Sequence, residues 1–196
     1  FRSDLMETGD TVEEVTALSS SSLSCILGNV NRGVPLEAAI AEAMRRGFAE
    51  PNPLTDLAGR DALRKIVILA KTMGLPTAMD DVRQEPLLDQ PYADFESFRG
   101  SGMARLAAGL EAARAPGMVT HYVGSAAADG TVQLGLRTFP QASIWGTLEP
   151  SENLFLFRTA RFGDLPVVVR GVGGGPVLTA SGVLADIIKA ARSRVC

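Results

Sequence analysis

Apolar positions along this chain change their spacing several times, and each change marks an element. Val12, Val15 and Leu18 make a short strand-like pattern, and Leu23, Ile26 and Leu27 follow it beyond four serines at 19–22. Serine hydroxyls there suit the cap of a following helix. Residues 34–46 read as a helix with a packed stripe of Ala38, Ile40, Ala41, Ala43 and Met44. Pro35 suits its first turn, Glu37 the positive end of its dipole, and Arg45 and Arg46 the negative end. From 47 to 74 the sequence is GFAEPNPLTDLAGRDALRKIVILAKTMG. Its first half reads as loop, with Pro51 and Pro53 bracketing Asn52. Asp56 predicts the N-cap of a helix that runs to Gly74, with Pro76 beyond it as a stop. Leu63, Ile66, Val67, Ile68, Leu69 and Ala70 are apolar round much of its circumference, which predicts a mostly buried helix.

Beyond Gly74 the pattern is weaker. Residues 75–98 are acidic and irregular, with a short strand expected at 82–88. Residues 101–115 predict an Ala-rich amphipathic helix that ends near Pro116 and Gly117. Residues 118–123, 132–136 and 145–148 alternate as strands, the first two joined by an Asp129–Gly130 turn. The stretch LPVVVRGVGGGPVLTASGVLADIIKAAR reads as a buried strand, a Gly-rich turn and a helix.

Composition narrows the class. The 196 residues are 46% hydrophobic and 21% charged, as in a folded globular domain. The net charge of −3 gives no basic field for nucleic acid. No apolar run approaches the roughly 20 residues of a membrane helix. Cys25 and Cys196 have no metal-like spacing and read as free thiols in a reducing compartment. No metal site is expected. The single His121 lies in VTHYVG and reads as a strand residue rather than a base. The opening FRSDLMETGD has no signal-peptide pattern and no initiating Met, so a piece of a longer polypeptide is expected.

The chemistry-bearing side chains gather at one place. Glu50, Asp56 and Asp61 fall within twelve residues, and Lys65 follows four residues after Asp61, on the same helix face. Such a pair on an open surface contributes only about 0.3–0.5 kcal/mol. Beside an apolar helix and an acidic loop, it is instead an arrangement that holds a small zwitterion and moves a proton. A dinucleotide fingerprint is tempting at Gly171 and Gly173, but Pro176 stands where the third glycine belongs, and no second strand with an acidic end follows.

At these residues the chain resembles the homoserine dehydrogenase family. That signature runs roughly G-[YF]-T-E-P-D-P-x-x-D-L-x-G-x-D-x-x-R-K. It is met here by Gly47, Phe48, Glu50, Pro51, Pro53, Asp56, Leu57, Gly59, Asp61, Arg64 and Lys65. Asn52 replaces the usual Asp, and Thr55 a frequent second one. A closing segment G-x-G-A-G-x-x-[VT]-T-A-A-G-V-x-A-D is met by Gly171, Gly173, Gly175, Thr179, Ala180, Gly182, Val183, Ala185 and Asp186. Asn153 and Pro166 match the segment before it. The family's G-x-x-S-G-T-L loop is altered, with Ala17, Ser21 and Ser22 at its Gly, Gly and Thr. That loop is expected to be reshaped, because serine replaces a glycine suited to positive φ.

The resemblance implies roles. Lys65 is the proton donor and acceptor, with Asp61 beside it as the second catalytic group. Glu50, Asp56 and Asp61 hold the substrate, and Gly47, Gly173 and Gly175 approach the nicotinamide cofactor, NADP or NAD. The implied fold is an α+β domain, a mixed β-sheet with helices packed on one face as a two-layer sandwich. Residues 1–196 form the substrate-binding and dimerisation domain, without the nucleotide-binding domain. The implied reaction is reversible reduction of L-aspartate 4-semialdehyde to L-homoserine, in the aspartate pathway to threonine, methionine and isoleucine. The implied assembly is a homodimer or higher homo-oligomer, the partner an amino-acid substrate with no nucleic acid or membrane. The implied compartment is the cytoplasm, or the plastid of a plant or alga. A form fused behind an aspartate kinase fits the closeness of several runs. The alternative is a degenerate or truncated module that only dimerises or binds an amino acid. A dihydrodipicolinate-reductase-like enzyme fits poorly, because the acidic loop has no use for a dicarboxylate.

Overall fold

The computed structural model describes residues 7–193. Its centre is a six-stranded sheet in the order β2-β4-β3-β1-β5-β6. The strands are β1 (Val12–Leu18), β2 (Arg83–Gln84), β3 (Met118–Ala127), β4 (Val132–Pro140), β5 (Glu152–Thr159) and β6 (Val167–Val172). Only the β2–β4 pair is parallel, so the sheet is mixed. The helices are α1 (Ser21–Asn31), α2 (Leu36–Arg45), α3 (Leu54–Leu57), α4 (Arg60–Thr72), α5 (Met103–Ala113) and α6 (Pro176–Ser193). The α+β architecture with one helical layer is therefore the one the family resemblance implies.

The main core lies between the sheet and α1, α2, α4 and α5. Val15, Tyr122, Ala126 and Leu134 of the strands meet Ile26, Leu63 and Ile66 of the helices there. Burying a side chain such as Ile66, which is 1% exposed, stabilises the fold by about 1.5–3 kcal/mol. Two glycines set how α4 lies on β3. A Cβ at Gly124 would stand 3.0 Å from Ile66, and one at Gly59 would stand 3.0 Å from the Tyr122 ring. The helix therefore rests almost on the strand backbone, and its first turn is held against β3 in the interior of the sheet. At the far end of α1, Asn31 exchanges two 3.0 Å hydrogen bonds with the Thr120 backbone. A smaller cluster covers the opposite sheet face, where Trp145 and Leu148 fold back over Leu18, Val119, Val123 and Leu154.

Several expectations are corrected. The helix predicted from Asp56 to Gly74 is two helices, α3 and α4, separated by Gly59 at φ +69°. Asp56 lies inside α3 and caps nothing in α4. Only one face of α4 is buried, and Ile68 is 58% exposed. Residues 145–148 are turn, not strand, because Trp145 stacks on Phe139 at 4.1 Å instead of joining the ladder. The strand expected at 82–88 shrinks to two residues. The segment read as a buried strand, β6, is the edge strand and is largely exposed. The Asp129–Gly130 turn forms as predicted, with the Thr131 N–H donating to Asp129 Oδ1 at 2.8 Å. His121 is buried in β3, its Nε2 3.0 Å from the Trp145 carbonyl oxygen. Cys25 is a buried free thiol, and Cys196 lies outside the described residues. No helix among the described residues is long and apolar enough to cross a membrane.

Candidate active site

Three segments far apart in the chain meet at the N-terminal end of α4. The first is the loop after α2. Gly47 at φ +70° ends that helix, and the N–H of Phe48 returns to the Ala43 carbonyl at 3.0 Å. This left-handed stop is one that glycine adopts without steric cost. The Arg46 guanidinium then covers the Phe48 ring at 4.7 Å. Farther on, the Glu50 N–H donates to Asp56 Oδ2 at 2.9 Å, and Asn52 Oδ1 accepts from the Leu54 N–H at 3.2 Å. The loop is thus closed on itself, and the Glu50 carboxylate is left free of protein partners among the described residues.

The second segment is the serine run before α1. Ser20, not Ser21, is the N-cap, its Oγ accepting from the Leu23 N–H at 3.4 Å. Ser21 and Ser22 belong to the first turn of α1. Among the described residues Ser151 is the non-glycine with positive φ, so Ser21 bears no left-handed strain. The expected reshaping of this loop is not needed, because the position is helical.

The third segment is the glycine turn between β6 and α6. A Cβ at Gly174 would stand 3.0 Å from Ser21 Oγ, and one at Gly173 would collide with the Asn153 side-chain amide. Gly175 has φ +112°. Only backbone without side chains passes through this gap, and it leaves peptide groups bare to whatever occupies the cavity.

These segments enclose a cavity of about 430 Å³. Lys65, Asp61, Glu50, Asp56, Gly47, Gly173 and Gly175 all line it, together with Arg60 and Arg64. Lys65 Nζ donates to the Ser19 carbonyl oxygen at 2.8 Å and pairs with Asp61 Oδ2 at 2.7 Å. An ammonium has three N–H groups, so one remains for a ligand. The side chains of Lys65 and Asp61 are 41% and 59% exposed, so the pair looks into the cavity mouth rather than into core. Three carboxylates and three cations line this space. Arg60 and Arg64 carry no ion pair among the described residues. Arg64 meets the family signature without a role attached to it and the signature has no fixed residue at 60, so the only signal in the sequence for the two arginines is their i, i+4 spacing beside Asp61 and Lys65. A second cavity of about 360 Å³ adjoins the first and shares Lys65 and Gly173 with it.

Residues 2–188 match the family model described as homoserine dehydrogenase. The chain belongs to the homoserine dehydrogenase family. It is 34% identical to a homoserine dehydrogenase of Emericella nidulans, over 95% of this chain and 55% of that protein. It is 31% identical to the bifunctional aspartokinase/homoserine dehydrogenase 2 of Escherichia coli, over 96% of this chain and 24% of that protein. Among solved structures, a hyperthermophilic archaeal homoserine dehydrogenase in complex with NADPH superposes with a TM-score of 0.65 at 26% identity. That match covers 95% of this chain and 49% of the other. The chain therefore spans about half the length of a stand-alone homoserine dehydrogenase, and about a quarter of the bifunctional one.

Proposed function

We propose that this cavity is the substrate site of a homoserine dehydrogenase that interconverts L-homoserine and L-aspartate 4-semialdehyde with NADP or NAD. The observation that carries the reading is convergence. The Lys65–Asp61 pair, the Glu50 loop and the Gly173–Gly175 turn come from distant parts of the chain and line one space.

The site's own chemistry follows. The free Glu50 carboxylate, with Asp56 beside it, pairs with the substrate ammonium in a partly desolvated setting. Lys65 carries the proton. In reduction the remaining N–H of Nζ passes its proton to the carbonyl oxygen, and in oxidation the neutral amine receives it from the hydroxyl. Asp61 and the Ser19 carbonyl fix the direction of Nζ through their two hydrogen bonds. A bound nicotinamide supplies the hydride chemistry. The residues present fit it, since Gly173, Gly174 and Gly175 put backbone without side chains on the cavity wall. Gly47, Gly173 and Gly175 are the residues that would lie against it.

We read residues 1–196 as the substrate-binding and dimerisation unit, which works with a nucleotide-binding domain. Val168 and Val172 of β6 and Val183, Leu184 and Ile187 of α6 are exposed large apolar side chains that such a neighbour would cover. A homodimer or higher oligomer, in the cytoplasm or a plastid, belongs to the same reading. The non-catalytic alternative is weakened because the implied catalytic and substrate-binding side chains are all present and share one space. The test is L-homoserine-dependent reduction of NADP+ by the whole enzyme carrying this chain, with light scattering for its oligomeric state. Absence of turnover in properly folded enzyme would overturn the reading.

A further inference from the structure

Two guanidinium groups line the first cavity with no counter-charge. Arg60 and Arg64 both border it, and neither makes an ion pair or a side-chain hydrogen bond among the described residues.

The fold itself takes their partners away. On a continuous helix Arg60 would meet Asp56, four residues earlier. The chain breaks between them at Gly59, φ +69°, and Asp56 Oδ2 accepts from the Glu50 N–H at 2.9 Å instead. Arg64 lies one turn beyond Arg60 on α4, so the side chain it meets at that spacing is a like charge. Asp61, the acid nearest to both in sequence, is bound through Oδ2 to Lys65 at 2.7 Å. An anion placed beside the two arginines relieves their repulsion, and a guanidinium receives a carboxylate through two parallel hydrogen bonds.

The remaining charges say which anion. Lys65 and Asp61 neutralise each other. The loop acids Glu50 and Asp56 and the two arginines of α4 are left without ion pairs, and all of them line one space. An α-amino acid carries both signs on a single carbon. With its ammonium at the loop acids, its carboxylate lies in the same cavity and needs a cation there. Lys65 is not that cation. Two of its N–H groups are taken by the Ser19 carbonyl and Asp61, and the third is needed at the reacting oxygen.

We propose that Arg60 and Arg64 receive the substrate's α-carboxylate, and so select an amino acid over the same alcohol with a neutral group in that position. This rests on the homoserine dehydrogenase reading.

The test compares L-homoserine with L-homoserine amide, whose carboxamide is neutral, as substrates of the whole enzyme with NADP+. At about pH 6.5 both carry the ammonium that Glu50 receives. Wild type has a kcat/KM about tenfold to a hundredfold higher for the acid, the worth of a charge-assisted hydrogen bond. In the double variant Arg60→Gln, Arg64→Gln the two substrates converge, through a loss on the acid alone. Both positions are exposed and glutamine is a good helix former, and thermal unfolding reports on folding. Lysine at both positions restores part of the preference, because the charge returns without the fork. A preference that survives in the glutamine variant, or is absent from wild type, overturns the proposal. So does an equal loss on acid and amide, or a change confined to the KM of NADP+, which would assign the arginines to a cofactor phosphate. Wild type that oxidises neither alcohol overturns the underlying reading as well, which separates the two failures.

Discussion

Replacing Lys65 by alanine separates chemistry from folding. The lysine is half-exposed, and its pair with Asp61 contributes about 0.3–0.5 kcal/mol to stability. Its hydrogen bond to the Ser19 carbonyl adds about 1 kcal/mol. Alanine is a good helix former, and the face of α4 that packs on the sheet, Leu63, Ile66 and Val67, is untouched. The unfolding free energy is therefore expected to fall by about 1.5 kcal/mol or less. A positioned proton donor contributes about 10²–10⁴ in rate, or about 2.7–5.5 kcal/mol of barrier. Steady-state kinetics should show kcat reduced by that factor, while urea unfolding moves little. Lys65→Arg sharpens the test. It keeps the charge and the partner Asp61, yet a guanidinium does not release its proton near neutral pH, so kcat stays low. Near-normal turnover in Lys65→Ala would refute the argument, as would a loss of activity that merely tracks a loss of folded protein.

Two further outcomes follow from the packing. Gly59→Ala meets the left-handed φ and the Tyr122 ring together, and Tyr122 is 1% exposed and bonded to the Glu85 carbonyl. Urea unfolding should show a loss of about 1–3 kcal/mol, against about 1 kcal/mol for Gly117→Ala, where φ is +73° and nothing lies within 4 Å. Equal losses would show that Tyr122 yields freely. Burial holds the His121 imidazole below its ordinary pKa of 6.5, so the unfolded chain takes up its proton at higher pH than the folded protein does. Stability present above that value is lost as pH falls through it toward the lower folded value. His121→Gln should flatten the fall in melting temperature between about pH 7 and pH 5 relative to wild type. Parallel curves for the two proteins would rule this out.

Much of the site is local and could be read from spacing. Asp61 and Lys65 pair because residues four apart on a helix must face the same way. Gly47 ends α2 because the next turn needs a left-handed residue, and the loop after it is closed by contacts within six residues. Helices at 34–46 and 101–115, the β3–β4 hairpin and the closing strand–turn–helix have the same origin in short-range pattern. Tertiary contact decided the rest. Gly59 breaks the predicted helix, because a tyrosine from a strand sixty residues away leaves no space for a side chain there. Trp145 leaves the strand register, because stacking on Phe139 buries it better than pairing does. β6 is an edge because among the described strands it pairs with β5 alone, a fact its valines do not encode. The cavity itself needs the glycine turn at 173–175 to arrive beside a loop more than a hundred residues earlier. Periodicity specifies which way a side chain points along its own element. Which distant groups it meets depends on how the elements pack, and packing free energy is shared among many residues, with no single stretch of sequence holding it.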